Sequence, residues 1–239
     1  EVVIPDGITS INDALFAGCW TLTSIIIPDG VTAIENYTFC EVESLTSIRF
    51  SEPMTYFGSD AFHMTNNIEY MEGPDVLDDN RSLVVNGILS YVADKGISKY
   101  EVPEGVTKIG WAVFGNKLYL EEVKMSDTVS EVEGYGYICS GSLKLKTLTV
   151  SARMQDLRYD PFGTYRGEVP ELETVYMRAP IPPAVITNQP DNIRGKYDNF
   201  TIYVPQESYE LYMSSESWSP YVEYIKPYDY GDLSEFYPD

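Results

Sequence analysis

A chain of 239 residues, of which 44% are apolar and 22% charged, is long and apolar enough to bury a sizeable core, which excludes an intrinsically disordered protein. Its 37 acidic and 16 basic residues give a net charge of -21, which disfavours binding to nucleic acids and to anionic membrane surfaces. A cationic partner, a neutral glycan or simple solubility remain open, and no window approaches the roughly 18 apolar residues of a membrane-spanning helix.

A repeat of 23 residues runs through the first part of the chain. Shifting the sequence by that length places residues 4–7, Ile-Pro-Asp-Gly, on residues 27–30, and residues 22–25, Leu-Thr-Ser-Ile, on residues 45–48. A fixed period of this size is typical of a solenoid, in which each repeat buries its apolar side by stacking on its neighbours. The sequence therefore predicts a repeat solenoid that is mostly β, with irregular or short helical return segments.

Each turn of the predicted solenoid begins with a strand and continues through a tight turn. Val2 and Ile4 alternate as a half-buried strand requires, and Pro5-Asp6-Gly7 is a turn sequence. Because residue 1 already belongs to a strand, we expect further chain to precede it. The core positions of the second turn, which recur with relaxed identities in later turns, are Ile25, Ile27, Val31, Ile34, Phe39 and Leu45.

The period breaks after Met71, and the next matching turn proline is Pro103. Between them, residues 82–92 contain two β-rich runs joined by Asn86-Gly87, the preferred centre of a two-residue hairpin turn. We therefore predict an inserted β-hairpin within residues 75–99.

Beyond Arg178 the periodicity ends. Residues 179–183, Ala-Pro-Ile-Pro-Pro, predict an extended linker, and residues 199–205 predict a last strand. Short helices are expected around Tyr209, Tyr212 and Met213 and around Trp218, Tyr221, Val222 and Ile225. Because a solenoid needs its apolar end covered, we predict a solenoid of about six turns in residues 1–178, and a linker with a cap in residues 179–239.

Few side chains are of the types that carry out chemistry. His63 is the only histidine and is interpreted as a spacer, and adjacent carboxylates such as Glu121 and Glu122 are expected by chance in so acidic a chain. No phosphate-binding glycine loop or metal-ligand spacing occurs. We therefore predict no enzyme activity, no catalytic residue, no cofactor and no metal.

Two groups of residues leave alternatives open. Asp75, Asp78 and Asp79 are interpreted as a solvated connection rather than a calcium site, because they lack the alternating oxygen ligands and closing glutamate of a calcium loop. Cys19, Cys40 and Cys139 cannot all pair within the chain and are interpreted as small apolar core residues. A bridge between Cys19 and Cys40 requires their Cα atoms to lie within roughly 7 Å.

Residues 27–34, Ile-Pro-Asp-Gly-Val-Thr-Ala-Ile, followed by Phe39 and Leu45, resemble the BspA-type leucine-rich repeats of bacterial surface proteins. Residues 102–109, Val-Pro-Glu-Gly-Val-Thr-Lys-Ile, resemble them as well. The resemblance covers nearly the whole chain and implies a leucine-rich-repeat-like fold. It also implies a secreted or cell-surface protein, from an outer-membrane-anchored parent, that adheres to host or bacterial surface proteins without catalysis.

Two columns of outward side chains are expected on the strand face, because side chains alternate along a strand and the turns stack in register. The first column is Val3, Ile26, Arg49, Glu72, Glu101, Lys124, Thr149 and Tyr176. The second column is Ser24, Ser47, Tyr70, Lys99, Glu122, Thr147 and Thr174. Residue types in the first column vary from turn to turn while the inward positions stay apolar, as a recognition surface requires.

From these columns we select a candidate ligand-binding face by residue types that are enriched at interfaces or able to pair with charge. It consists of Arg49, Tyr70, Glu72, Glu101, Lys124 and Tyr176. The alternative is an ordinary solvated sheet face, which also varies freely.

Three hypotheses about function follow. The first is protein recognition or adhesion through this face. The second is glycan binding, motivated by 20 tyrosines and 3 tryptophans, whose flat rings can stack on sugars. The third and least favoured is a hydrolase, which would need a deep pocket with two convergent carboxylates.

Overall fold

The computed structural model describes residues 2–77, 79–134, 138–139, 141–159, 162, 172–186 and 199–233. The protein is a β-solenoid, as the repeat predicts, and it has about eight turns where about six were expected. Its turns contribute strands to a front sheet and to a rear sheet. The sequence also indicates an insertion within residues 134–139, which lies partly outside the described residues, and a four-residue expansion before Leu172, which lies almost wholly outside them.

The first three turns form one stack with two three-stranded parallel sheets. Its front sheet contains β2 (Ser24–Ile27), β4 (Ser47–Phe50) and β6 (Tyr70–Glu72). Its rear sheet contains β1 (Ser10–Ile11), β3 (Ala33–Ile34) and β5 (Tyr56–Phe57). We call this unit the N-terminal stack.

The remaining turns form the C-terminal stack, with two six-stranded sheets. Its front sheet contains β9 (Lys99–Glu101), β11 (Glu122–Lys124), β13 (Thr147–Val150), β15 (Thr174–Met177), β17 (Thr201–Pro205) and β18 (Ile225–Tyr228). Its rear sheet contains β7 (Ser82–Val85), β8 (Ile88–Val92), β10 (Lys108–Ile109), β12 (Glu131–Val132), β14 (Asp156–Tyr159) and β16 (Ala184–Ile186).

The inward side chains of each turn form the core. All six predicted core residues of the second turn, from Ile25 to Leu45, are buried. Phe16, Phe39 and Phe62 stack along the solenoid, with ring centroids 5.4 Å apart at both steps. Equivalent residues of successive turns therefore meet, and this is why size and apolarity, but not identity, repeat in the sequence.

The return segment of each turn contains a residue with positive φ two positions after the buried aromatic or its equivalent. These residues are Gly18, Glu41, Met64, Asn116 and Gly141, with φ of 66°, 57°, 56°, 55° and 77°. In this conformation the backbone N–H of Glu41 donates to the carbonyl of His63 in the next turn, at 2.9 Å. Any residue other than glycine is strained there, because its Cβ approaches the backbone.

The predicted hairpin is confirmed. Strands β7 and β8 are antiparallel, and Asn86 and Gly87 both have positive φ, of 53° and 78°. Strand β8 also pairs in parallel with β10, so the hairpin begins the rear sheet of the C-terminal stack. It contacts the N-terminal stack through Tyr91, whose ring lies 4.6 Å from that of Phe62 and whose hydroxyl donates to the carbonyl of Thr65 at 2.6 Å.

A buried ion pair joins the hairpin to the following turn. Lys117 is 3% exposed and Asp94 1%, and Lys117 Nζ lies 4.0 Å from Asp94 Oδ1. Lys117 Nζ also donates to the carbonyl of Val92 at 2.7 Å and sits 4.1 Å from the ring centroid of Tyr91. Asp94 Oδ2 accepts two backbone N–H groups, but Asp94 Oδ1 accepts no hydrogen bond within the described structure. Burial lowers the pKa of Lys117 to about 8, although Asp94 opposes the shift.

The C-terminal segment covers the end of the solenoid with the predicted strand and short helices. These are β17, a 3-10 helix (Gln206–Ser208), α1 (Tyr209–Ser214) and a second 3-10 helix (Glu216–Tyr224). Trp218 is fully buried, and its Nε1 donates to the carbonyl of Pro183 at 2.8 Å.

Two details of this segment differ from expectation. Ile225 was expected on a helix but begins β18, which pairs in parallel with β17, because the parallel ladder offers its backbone partners that a one-turn helix lacks. The segment after residues 179–183 forms β16, which was not expected. The front ladder therefore continues beyond residue 178 through β17 and β18, and the division of the chain into a solenoid and a capping unit stays a prediction.

All three cysteines are free thiols in the structure. Cys139 is buried, which raises the pKa of its thiol, whereas Cys19 and Cys40 are partly exposed. Asp75 and Asp79 accept hydrogen bonds from the backbone N–H groups of Met54 and of Arg81 and Ser82, respectively. Asp78 lies outside the described residues.

Replacing Met64 by glycine should stabilise the protein by about 0.5–1 kcal/mol, since the strain of its positive φ exceeds the entropy that glycine loses on folding. The side chain is 48% exposed, so its removal costs little packing. Urea denaturation of the wild type, Met64→Gly and Met64→Ala measures the effect. Alanine keeps the Cβ atom and should give no gain, and an equal gain from both variants would contradict the interpretation.

Removing one partner of the buried ion pair should destabilise the protein strongly. Lys117→Met leaves the Asp94 carboxylate buried without a cation, and we expect a loss of about 3 kcal/mol. The double variant Lys117→Met with Asp94→Asn should lose less than the sum of the two single losses, because the uncompensated charge is then absent. Chemical denaturation of the four proteins forms the cycle. Additive losses would show that the two side chains are not coupled.

The lowered pKa of Lys117 also predicts a pH dependence. Its pKa is about 8 in the folded protein, against about 10.4 in an unfolded chain, so the unfolded state binds more protons between these values. Stability of the wild type, measured relative to Lys117→Met, should therefore rise as pH increases from about 8 towards 10. A difference that stays constant over this range would show that Lys117 titrates normally.

Candidate functional site

From β2 onward the strand register aligns the predicted outward columns, whereas Val3, the first predicted member, lies outside any strand. In the first column Ile26 pairs with Arg49, and Arg49 with Glu72. The same column resumes in the C-terminal stack with Glu101, Lys124, Thr149 and Tyr176. Glu72 and Glu101 lie in different sheets, however, so the hairpin divides the candidate face in two. The N-terminal strand face consists of β2, β4 and β6, and the C-terminal strand face consists of β9, β11, β13, β15, β17 and β18.

The charged residues of the candidate face pair with one another across adjacent turns. Arg49 Nε lies 3.8 Å from Glu72 Oε1, and Lys124 Nζ lies 3.5 Å from Glu101 Oε2. In the second column the amine of Lys99 is 2.6 Å from the carboxylate of Glu122. All of these side chains are at least 40% exposed, so each pair contributes roughly 0–1 kcal/mol and can exchange partners readily.

The two candidate tyrosines have different surroundings. Tyr70 is 45% exposed in the second column of the N-terminal strand face, where it pairs in register with Ser47. Tyr176 is half-buried on the C-terminal strand face, and its ring stacks on that of Tyr203 with centroids 5.2 Å apart and an angle of 16° between the planes.

Tyr176 belongs to a cluster of four tyrosines, which we call the tyrosine cluster. Its members are Tyr176, Tyr203, Tyr228 and Tyr230. Tyr228 is 41% exposed, and the hydroxyl of Tyr230 donates to the carbonyl of Tyr203 at 3.1 Å. Partial burial raises the pKa of Tyr176 and Tyr230 above the ordinary phenol value, so both are neutral at physiological pH.

Three members of this cluster were missed by the sequence analysis. Tyr203 follows Tyr176 in the first column, but the column was ended at Tyr176 because the segment after residue 178 was assigned to a cap. The strand predicted for residues 199–205 could have extended the first column to Tyr203. Tyr228 and Tyr230 could be found only by knowing that β18 pairs with β17.

A second concave feature lies on the rear side, where the N-terminal and C-terminal stacks meet. It is a cleft of about 180 Å³ between β5 and the strands β8 and β10, and we call it the seam cleft. Trp111 and Tyr56 supply aromatic rings to it, and Glu133 supplies a carboxylate. A smaller pocket of about 30 Å³ adjoins it, shares Trp111, Ser59 and Ser90, and is also lined by Asp60 and His63.

Candidate chemical groups are few. His63 Nδ1 lies 3.8 Å from Asp60 Oδ1, and burial raises the pKa of Asp60, while hydrogen bonding from Tyr37 and the proximity of His63 oppose the shift. Within the described part of the chain, no three histidine, cysteine or acidic side chains converge as a metal site would require. No described helix is long and apolar enough to cross a membrane.

Comparison with protein families gives one match. A profile described as the BspA type leucine-rich repeat region matches six copies over residues 1–82 and 90–166. No curated protein sequence shows significant similarity to the chain.

Solved structures with a similar fold include a leucine-rich cell surface protein from Faecalibacterium prausnitzii. It is 17% identical, the match covers 98% of this chain and 60% of that protein, and the TM-score is 0.52. A leucine-rich repeat protein from Eubacterium ventriosum is 16% identical over 84% of this chain and 64% of its own, with a TM-score of 0.43. The chain therefore spans less than two thirds of either protein. The structural similarity to the Faecalibacterium protein, at 17% identity, supports the fold alone.

Proposed function

Because the chain belongs to the BspA type leucine-rich repeat family, we propose that it is a non-catalytic binding module that recognises a protein partner through its C-terminal strand face. The observation that carries the proposal is the tyrosine cluster at one end of this face. Tyrosine offers a large, rigid contact area at a small cost in side-chain entropy, and it is enriched among residues that dominate binding energy.

The arrangement of charge on the face is consistent with the tyrosine cluster as the contact centre. Lys124 and Lys99 each pair with a carboxylate of a neighbouring turn, so an incoming partner must exchange these contacts rather than meet a free charge. Exposed pairs of this kind affect orientation and association rate more than affinity. The tyrosine cluster therefore supplies the contact centre, and the paired charges form a polar surround.

The protein partner is a host or bacterial surface protein, and the chain acts at the bacterial cell surface or outside the cell. This part of the proposal draws on the family and on the surface location named for the Faecalibacterium protein. Adhesion is the role that fits a module with a broad strand face and no assembled set of catalytic side chains among its described residues.

Glycan binding is a second candidate function, and the exposure of Tyr228 favours it. Its ring is 41% exposed within the tyrosine cluster, where a sugar face could stack on it. The neutral hydroxyls of Thr147, Thr149 and Thr174 on the same sheet could bind sugar hydroxyls. A glycan array separates this function from protein recognition, because only the former gives a signal on isolated oligosaccharides.

Tyr228→Ala should weaken binding to a protein partner by about tenfold, as expected for loss of a central aromatic contact. Partners are first identified with surface plasmon resonance on a panel of purified extracellular-matrix proteins and bacterial surface proteins. Lys124→Glu should also weaken the complex, mainly by slowing association, because it reverses a charge in the polar surround of the contact centre. Trp20→Ala removes a 72% exposed aromatic residue of the first turn, remote in sequence from the tyrosine cluster, and serves as the control. Equal affinities for the wild type, Tyr228→Ala and Lys124→Glu would reject this face.

A further inference from the structure

The seam cleft has a set of side chains that the proposed strand-face function does not use. Trp111 and Tyr56 line it with aromatic surface, and Tyr56 is 45% exposed. A cavity of about 150 Å³ is large enough to hold benzene. The seam cleft, at about 180 Å³, is therefore large enough for the end of one side chain or a small ring.

Trp111 is held in a defined position by its neighbour in the next turn. Gly134 has a φ of 82°, and a Cβ atom added to it would lie only 2.0 Å from Cδ1 of the Trp111 indole. The glycine backbone thus packs directly against one side of the indole. Trp111 also lines the cleft, so the aromatic ring is presented to a ligand by a rigid support.

Two polar side chains of the cleft, Asn86 and Ser90, have acceptor atoms that their own hydrogen bonds leave unused. Asn86 Nδ2 donates to the carbonyl of Thr55 at 3.2 Å, and the hydroxyl of Ser90 donates to the carbonyl of Ile88 at 3.2 Å. The amide oxygen of Asn86 and the lone pairs of Ser90 remain available to accept hydrogen bonds. A ligand with N–H donors can therefore bind to these acceptor atoms.

The charge of the cleft is negative. Within the described structure no lysine or arginine forms an ion pair with Glu133, whereas Glu131 on the same segment pairs with Lys108 at 2.9 Å. Asp60 adds a second carboxylate in the adjoining pocket. The other charged residue there, Lys117, directs its amine to the carbonyl of Val92 and is buried. The net charge of -21 adds a long-range attraction for cations.

From the aromatic surface, the available acceptors and the unpaired carboxylate, we infer that the seam cleft binds the ammonium or guanidinium group of a lysine or arginine side chain on a partner protein. An indole face attracts a cation through its quadrupole, and Glu133 supplies the charge-assisted hydrogen bond. The inference rests on the proposed function, since the bound side chain belongs to a protein partner.

The test uses the three indole N–H signals of the 15N-labelled protein in solution NMR, one for each tryptophan. Trp111→Phe assigns the signal of Trp111. The probes are N-acetyl-lysine methylamide, N-acetyl-arginine methylamide, the uncharged isostere N-acetyl-norleucine methylamide, and N-acetylglucosamine. We expect the lysine and arginine probes to shift the Trp111 signal while those of Trp20 and Trp218 stay in place.

Glu133→Gln should weaken binding of the lysine probe by about tenfold, as expected for loss of a charge-assisted hydrogen bond. Glu131→Gln makes the same change in net charge nearby and should leave this binding unchanged. No Trp111 shift with the charged probes, an equal response to the norleucine probe, or a response to N-acetylglucosamine alone would overturn the inference. These results do not depend on the strand face, because Tyr228→Ala is tested against whole partner proteins.

Discussion

The parallel pairing of one strand per turn is the constraint on which the structure depends. Because successive strands pair in register, the inward residue of one turn lies above that of the next, and the outward residues form columns. The same register brings Phe16, Phe39 and Phe62 into one stack of rings. The core and the outward columns are therefore two results of a single backbone geometry, and a shift of one residue in any strand would exchange them.

The hairpin is the place where this constraint is relaxed. Strands β6 and β9 belong to different sheets, as do β5 and β8, so the ladder stops on both sides of the solenoid. The contacts of Tyr91 with Phe62 and with the carbonyl of Thr65 replace ladder hydrogen bonds at this junction. The interruption also opens the seam cleft, since β5 pairs with β3 on one edge and with no described strand on the other. The inserted hairpin thus interrupts the strand face and creates the seam cleft.

The sequence was sufficient to predict the features that recur from turn to turn or that depend on a local motif. The period located the core and the first column, and Asn86-Gly87 located the hairpin, because these signals are local or periodic. The tyrosine cluster depended on β18 joining the sheet, which no local pattern around Ile225 indicates. The contacts of Tyr91 with Phe62 and Thr65 depend on how the two stacks meet. Such contacts between distant segments follow from tertiary packing, and a single sequence carries no periodic record of them.

The claim that the tyrosine cluster is the centre of recognition can be tested by hydroxyl-radical footprinting of the chain, free and bound to a protein partner. Oxidation of exposed tyrosines is read residue by residue by mass spectrometry, without any substitution. The account predicts that partner binding protects Tyr203, Tyr228 and Tyr230, and that Trp20 stays as reactive as in the free chain. Unchanged oxidation of the three tyrosines, with protection confined to the return segments around Trp20 and Leu143, would contradict it.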